Sequence, residues 1–155
     1  MATELLLSFR GTDKVRYDKG VFYFFSSKKD CRSISVDKKH FLNLCNYVDI
    51  LNELHDKKFV EMENATETAP DEVLKQFTLC KEGDYEVGLE LNVFKGTLYT
   101  WLKLYRYIKG KKNPCKGCVN LSNANGQSLK SFYYTSLGNP FDEKTPNPVE
   151  GNPTN

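Results

Sequence analysis

The most informative segment of the sequence, from Leu98 to Ile108, reads LYTWLKLYRYI. Side chains of a β-strand point alternately to opposite faces, so this stretch predicts one long strand with two different faces. One face is aliphatic and suits a core, with Leu98, Thr100, Leu102 and Leu104. The other face is a ladder of aromatic rings around a lysine, with Tyr99, Trp101, Lys103, Tyr105 and Tyr107.

Further elements surround this strand in the second half of the chain. They are a strand over 85–93, a turn over 94–96, a basic loop over 109–114, a short strand over 118–121, and a helix with Leu129, Phe132, Tyr133 and Leu137 on one face. Ser122 or Asn123 is the expected N-cap of this helix, and residues 138–140 end it. Gly126 lowers its propensity.

The first half of the chain shows the same order of elements. Short strands are predicted over 3–9, 15–17, 21–25 and 32–36, with Asp18-Lys19-Gly20 as a hairpin turn. A helix follows over 38–56 with Asp37 as its N-cap, because apolar residues then recur at helical spacing. These residues are Phe41, Leu44, Cys45, Val48, Leu51 and Leu54.

The two halves also share local sequence. Residues 17–23 resemble residues 94–99, and residues 34–37 resemble residues 119–122, each directly before a helix. We therefore expect an α+β protein with two tandem β-sheet modules, each closed by a helix. Its predicted divisions are a first module (1–57), an acidic linker (58–83), a second, basic module (84–140) and a disordered tail (141–155).

The charges are distributed unevenly along the chain. Residues 1–52 have net charge +3, residues 53–90 have net charge −7, and residues 91–141 carry eight basic and no acidic residues. Protein surfaces usually mix both signs, so an acid-free run of this length favours a polyanionic partner. Pairing with the acidic segment inside the fold is the alternative explanation.

The aromatic face and its surrounding lysines suit an unpaired nucleic acid strand. Aromatic rings stack on exposed bases, and nearby cations neutralise phosphates. Candidate cations next to the ladder are Lys109, Lys111, Lys112 and Lys116. The alternative is that the aromatic face is also buried, beneath a helix or a partner protein.

The first half offers a second, smaller set of candidate contacts. Phe22 and Phe24 share one face of a predicted strand, with Tyr23 and Phe25 on the other. Basic residues lie in the adjacent turns and strand ends, namely Arg16, Lys19, Lys28, Lys29 and Arg32. A core position for Phe22 and Phe24 explains the pattern equally well.

The sequence gives little support for catalysis or for a cofactor. Cys115 and Cys118 form an isolated CxxC pair, which is half of a zinc site, and no second pair follows at a suitable spacing. There is no phosphate-binding loop or nucleophile motif, so we expect a non-enzymatic protein without metal or cofactor. The chain shows no secretory signal and no apolar segment of membrane-spanning length, so an intracellular, reduced protein is expected.

Residues from Tyr85 to Leu137 resemble the single-stranded-DNA-binding module of the positive-cofactor-four family of transcriptional coactivators. The resemblance rests on the Phe94-Lys95-Gly96 turn, the strand end Leu104-Tyr105-Arg106-Tyr107, and the segment 112–121 that leads into a helix. The first half resembles a more diverged copy, ending in Ile34-Ser35-Val36-Asp37 before its helix.

The resemblance implies curved four-stranded antiparallel sheets, each followed by a helix. In the family two modules pair through their helices, so two modules on one chain imply an internal pseudo-dimer (ββββα repeated). The positions that carry over as DNA contacts are Phe94, Lys95, Lys103, Arg106 or Tyr107, and Lys116.

The leading hypothesis is therefore non-sequence-specific binding of single-stranded DNA, or less readily RNA, in transcription or replication. Nuclear location, self-association and contacts with transcription or replication proteins accompany that hypothesis. The alternative is an adaptor or structural protein that binds a protein partner through its aromatic sheet face.

Overall fold

The computed structural model describes residues 3–7, 13–28 and 31–138, which form two four-stranded antiparallel sheets and two helices. The fold is therefore α+β, as predicted. The elements are β1 (Thr3–Leu6), β2 (Lys14–Asp18), β3 (Val21–Phe25), β4 (Ile34–Asp37), α1 (Lys38–Glu63), β5 (Glu72–Glu82), β6 (Tyr85–Phe94), β7 (Thr97–Ile108), β8 (Lys111–Asn120) and α2 (Gly126–Ser136).

Each sheet is a simple meander, in which every strand pairs with the next strand of the chain. Three of the hairpins turn on a Lys-Gly pair, at Lys19, Lys95 and Lys109, whose φ angles are 48°, 50° and 52°. Two-residue turns with both φ angles positive match the right-handed twist of the flanking strands. Glycine is favoured at the second position because it adopts positive φ without steric cost.

The predicted basic loop over 109–114 is instead a tight turn followed by a strand. Lys109-Gly110 reverses the chain, and β8 pairs with β7 from Lys111 onward. Pro114 fits inside this strand because β8 is at the sheet edge, where a missing backbone donor faces no neighbour. Register shifts between Lys103 and Tyr105 mark a bulge beside it.

Helix α1 begins as predicted and ends later than predicted. The Asp37 carboxylate caps the helix by accepting from the Lys39 amide at 3.0 Å. The helix continues past the expected end at residue 56 to Glu63. Its last turns are rich in Lys, Glu and Met, which have good helix propensity even though few of them reach the core.

The predicted acidic linker, residues 58–83, is mostly regular structure. It contains the end of α1 and all of β5, which pairs with β6 from Glu72 to Glu82. Charged and polar residues at most of the exposed positions of β5 obscure the strand pattern in the sequence. Within this range, only residues 64–71 and Gly83 lie outside helix and strand.

Helix α2 is capped by Asn125, not by Ser122 or Asn123. The Asn125 side chain accepts from the Ser128 amide at 2.8 Å. Gly126 is the first helical residue, where its amide donates to Asp49 of α1 at 2.9 Å. A Cβ at Gly126 would overlap the Asp49 carboxylate, so this glycine permits the two helices to approach rather than weakening a helix interior.

One hydrophobic core joins both sheets and both helices. Phe22 of β3 stacks on Phe41 of α1, with ring centroids 3.9 Å apart, and lies 5.9 Å from Phe132 of α2. On the other side, Tyr47 of α1 stacks on Phe77 of β5 at 4.3 Å. Each helix thus contacts an element from the opposite half of the chain, and the two sheets are coupled through the helices.

Two predicted features lie outside the described residues, namely the disordered tail over 141–155 and the candidate cation Lys29. Within residues 3–7, 13–28 and 31–138, no helix has the length and apolarity needed to cross a bilayer.

Candidate nucleic-acid interface

The long strand β7 has the two faces that its sequence predicts. Leu98, Thr100, Leu102 and Leu104 are buried, and every residue of the aromatic ladder is half-buried. The rings of Tyr99 and Trp101 stack on one another, with centroids 5.4 Å apart and planes 22° apart. In this chain alone, the ladder is thus neither sealed under a helix nor fully exposed.

The exposed edges of Tyr99 and Trp101 line an open groove of about 750 Å³. Lys103 lies on the same floor, and Phe94 at the end of β6 forms part of the wall. Lys28 reaches the groove from the loop after β3, about seventy residues away in sequence. The fold therefore brings a cation from the first half of the chain to the aromatic rings of the second.

A buried glutamate lies beneath the ladder. Glu90 of β6 pairs directly with Trp101, and it is only 3 % exposed. Its carboxylate accepts from Lys103 at 2.9 Å, Asn92 at 2.8 Å and Tyr105 at 3.1 Å. Burial raises the pKa of Glu90, but these hydrogen bonds outweigh it, so the pKa lies below its usual range.

A second buried glutamate, four residues earlier on the same face of β6, has a similar set of partners. Glu86 accepts from Tyr107 at 2.7 Å, from Lys112 at 2.9 Å and from Thr78 at 3.0 Å. Burial raises the pKa of Glu86, and its hydrogen bonds from Lys112 and Tyr107 lower it to a net value below the usual range. The same contact with Glu86 raises the pKa of the Tyr107 hydroxyl.

The candidate cations of the second half fall into two groups. Lys103 and Lys112 are in ion pairs with Glu90 and Glu86, so part of the basic segment does pair with the acidic segment inside the fold. Among the described residues, Lys95, Lys109, Lys111 and Lys116 are the candidate cations of the second half that are exposed and have no carboxylate within 4 Å, and Lys19 and Lys28 of the first half share both properties. This second group is available to phosphates.

Arg106 lies on the opposite side of β7 from the ladder. Its guanidinium is 5.6 Å from the ring centroid of Tyr85, and Arg32 approaches the same ring at 5.8 Å. The Arg32 amide also donates to the Lys116 carbonyl at 2.6 Å, which ties the loop before β4 to β8. These two arginines form a separate basic surface between the sheets, away from Trp101.

The first sheet turns a different pair of aromatic rings outward than predicted. Phe22 and Phe24 are fully buried in the core, so they are not available to a ligand. Tyr23 and Phe25 occupy the outer face and are half-buried. Arg16 pairs with Tyr23 across the sheet and lies 5.6 Å from the Phe25 ring, while its charge is paired with Glu4 at 2.8 Å.

The Lys-Gly turns of the β2–β3 and β6–β7 hairpins set corresponding positions in the two sheets. Tyr23 and Tyr99 each lie four residues after the lysine of the turn, and Phe25 and Trp101 each lie six residues after it. Both pairs face outward and are half-buried. Lys19 and Lys95 are exposed at the ends of these hairpins, and Lys95 lies 5.3 Å from the Phe94 ring.

Five residues of these faces were not predicted from the sequence, namely Tyr23, Phe25, Glu86, Glu90 and Asn92. The strand Tyr85–Phe94 carries the signal for the last three, because Glu86, Gly88, Glu90 and Asn92 alternate with aliphatic residues. The strand over 85–93 was predicted, but its two glutamates entered only the net charge of residues 53–90, which does not show which side chains they contact.

The cysteines form no recognisable metal site. Cys118 faces the groove and approaches Cys31, whereas Cys115 packs against the core. Across the described ranges, no three His, Cys, Asp or Glu side chains converge as metal ligands would. All five cysteines are free thiols.

Comparison with known proteins adds no family assignment. No protein-family model matches this chain, and no curated protein matches it.

Proposed function

We propose that this protein binds single-stranded nucleic acid along the outer faces of its sheets, without catalysing a reaction. The observation that carries the proposal is the groove in which Tyr99 and Trp101 expose stacked rings beside Lys28 and Lys103. Unpaired bases stack on such rings at about 1–3 kcal/mol per base, and duplex DNA hides the base faces that would do so.

The unpaired lysines supply the second part of the mechanism. Lys95, Lys109, Lys111 and Lys116 are exposed around the second sheet and can neutralise phosphates. Phosphate contacts carry no sequence information, so binding is largely independent of sequence and falls steeply with salt. The role of Lys103 and Lys112 differs, because their ion pairs with buried glutamates hold the floor of the face in shape.

The proposal includes kinship with the positive-cofactor-four family and an internal pseudo-dimer of two ββββα modules. The order of elements supports it, since four strands precede a helix in each half. The packing of α1 on α2 supports it as well, through Asp49 and Gly126 and through the rings of Phe41 and Tyr133. The resemblance favours DNA over RNA, a role in transcription or replication, and the nucleus of a nucleated cell.

An adaptor that binds a protein partner is the second candidate function. Val73 and Phe94, which are 49 % and 50 % exposed, border the groove together with Asp71 and Glu72. Exposed apolar residues next to carboxylates suit a protein surface better than a phosphate backbone. A complex formed by such an adaptor would persist in excess oligonucleotide.

The test is fluorescence anisotropy with labelled single-stranded and double-stranded DNA of equal length, titrated at several salt concentrations. We expect salt-sensitive binding that prefers the single strand. Combined replacement Tyr99→Ala and Trp101→Ala should weaken binding at least about tenfold without changing the salt slope. Tyr134→Ala, at an exposed aromatic residue of α2, is the matched control and should bind normally.

Either of two results would overturn the proposal. One is the absence of binding to any single strand at low salt, which would favour the adaptor. The other is a folded Tyr99→Ala and Trp101→Ala variant with the affinity of the wild type, which would remove the stacking surface from the mechanism.

A further inference from the structure

The groove contains a polar atom whose hydrogen-bonding capacity is unused. Asn92 lies on the groove floor and pairs with Tyr99 across the β6–β7 hairpin. Its side-chain oxygen Oδ1 is buried and has no hydrogen-bond partner among the described residues. Buried polar atoms are nearly always paired, so an unpaired acceptor in a candidate binding groove indicates a donor on the ligand.

The orientation of this amide is fixed by its neighbour. The Asn92 nitrogen Nδ2 donates to Glu90 Oε2 at 2.8 Å. Turning the amide over would place its carbonyl oxygen against the carboxylate, where two acceptors repel. Glu90 also accepts from Lys103, Tyr105 and Gln76, so its oxygens are fully used. Because Glu90 binds the Asn92 nitrogen, the Asn92 oxygen Oδ1 is the atom that can accept a hydrogen bond from a ligand.

The bases differ in what they present to such an acceptor. Cytosine and adenine project an exocyclic amino group, and guanine projects one at a different ring position. Uracil and thymine carry a carbonyl oxygen where cytosine carries its amino group. A base stacked on Tyr99 or Trp101 would thus bring to this corner of the groove either a donor or a second acceptor.

We propose that Asn92 reads the amino group of a stacked base, so that the groove binds cytosine in preference to uracil or thymine. This inference rests on the proposed function and adds a preference for base type to sequence-independent phosphate binding. Tyr99 is half-buried and is the cross-strand partner of Asn92, so a base that stacks on its ring would lie beside this amide, and the proposal requires the ring to move enough to expose Oδ1. Glu90 acts as a positioning residue, since it holds the amide with its oxygen toward the base.

The first sheet does not share this feature. Arg16 stands three residues before Lys19, as Asn92 stands three residues before Lys95. A guanidinium only donates hydrogen bonds, and that of Arg16 is paired with Glu4. The preference for amino-bearing bases therefore belongs to the second sheet alone.

The test compares two oligonucleotides, one of deoxycytidine and one of deoxyuridine, of equal length and with the same label. They differ at the base edge and share the backbone, so phosphate contacts cancel in the ratio of their dissociation constants. We expect the wild type to bind the cytidine strand about three- to tenfold more tightly, the value of one hydrogen bond. Asn92→Leu should bring the ratio close to one.

Gln76→Leu is the matched control. It removes a different partner of Glu90, at 3.5 Å, from a side chain outside the groove. It should keep the preference for cytidine, and circular dichroism should show that both variants fold. A ratio that falls equally in both variants would assign the effect to a disturbed Glu90 and overturn the role of Asn92.

The remaining outcomes separate this inference from the proposed function. Equal, tight binding of both strands by the wild type would overturn the inference and leave the proposed function standing. A preference for cytidine that survives in Asn92→Leu would also overturn it. Failure to bind either strand would contradict the proposed function itself, and the inference with it.

Discussion

Glu90 and Trp101 are cross-strand partners in the β6–β7 pair, so the outer face places a buried carboxylate next to an aromatic ring. A ring that stacks on bases needs a rigid floor, and a carboxylate with four hydrogen-bond donors supplies one. The carboxylate also forms an ion pair with Lys103, which neutralises the charge of that lysine in the groove. In the proposed function, the charge that contacts phosphates is therefore that of the exposed lysines at the rim.

The acid stability of the protein should depend on Glu90. A carboxyl group whose pKa is lowered in the folded state stabilises the fold above its ordinary pKa of 4.5, and that stabilisation is lost as the pH falls through the folded value. Glu90→Gln should therefore lower the free energy of unfolding by about 2 kcal/mol at pH 7 and by progressively less toward pH 3.

Thermal unfolding of both proteins at several pH values measures this difference. Glu53→Gln, at an exposed residue of α1, is the control and should match the wild type throughout. A deficit in Glu90→Gln that stays constant from pH 7 to pH 3 would mean that the ionised carboxylate is not the stabilising group.

At the residue scale, the sequence predicts a strand face only where its residues differ in polarity. In β7, leucines alternate with aromatic and basic residues, so the two different faces of the strand were predictable, and the structure confirms them, with the ladder half-buried. In β3, the sequence VFYFF is apolar throughout, so it does not indicate which side chains face the core. Phe22 and Phe24 are candidate ligand contacts in the sequence, with a core position as an equal alternative, and their contacts with Phe41 of α1 place both in the core.

At the element scale, the Lys-Gly turns place a cation at the tip of a hairpin and hold its backbone at positive φ. Lysine adopts this conformation at a cost, whereas asparagine tolerates it well. The choice of lysine at Lys95 is thus better explained by what its charge contacts than by the turn itself. Lys95 lies next to Phe94, at the end of the aromatic groove.

Lys95→Asn should therefore separate binding from stability. We expect an unchanged or slightly higher melting temperature, together with weaker binding of single-stranded DNA and a salt slope reduced by about 0.7, the value of one phosphate contact. Anisotropy titrations over salt concentration measure the slope. Lys57→Ala, which removes an exposed charge from α1, should leave it unchanged. An unaltered slope in Lys95→Asn would exclude Lys95 from the interface.

Element boundaries were less predictable than element types. The N-cap of α1 at Asp37 was predicted correctly, because a carboxylate before a helical apolar pattern is a strong local signal. The end of α1 and the start of β5 were missed, since the core residues that identify an element become sparse there. The cap of α2 at Asn125 depends partly on Asp49, a contact between distant residues that no local pattern contains.

At the scale of the whole molecule, the two sheets share one core through crossed helix contacts. Phe22 of the first sheet meets Phe132 of α2, and α1 stacks Tyr47 on Phe77 of the second sheet. The sequence indicated two similar halves but not this exchange of contacts. Which helix covers which sheet is decided by long-range packing, so local periodicity does not reveal it.

The shared core predicts that both sheets unfold together. Phe22→Ala in the first sheet should destabilise the protein by about 3–5 kcal/mol. Its unfolding midpoint in denaturant should be the same by the fluorescence of Trp101, in the second sheet, and by circular dichroism. Phe25→Ala, on the outer face of the same strand, should cost less. Separate midpoints for the two signals would show that the sheets are independent domains.

Base stacking on the second sheet is tested most directly by Trp101, the single tryptophan of the chain. Its fluorescence is followed while unlabelled single-stranded DNA is added, and binding is followed in parallel by the anisotropy of a labelled strand. Because bases stack on this ring in our account, its fluorescence should be quenched with the same dissociation constant that anisotropy gives. Binding by anisotropy with no change in Trp101 fluorescence would contradict the account and move the interface to another surface.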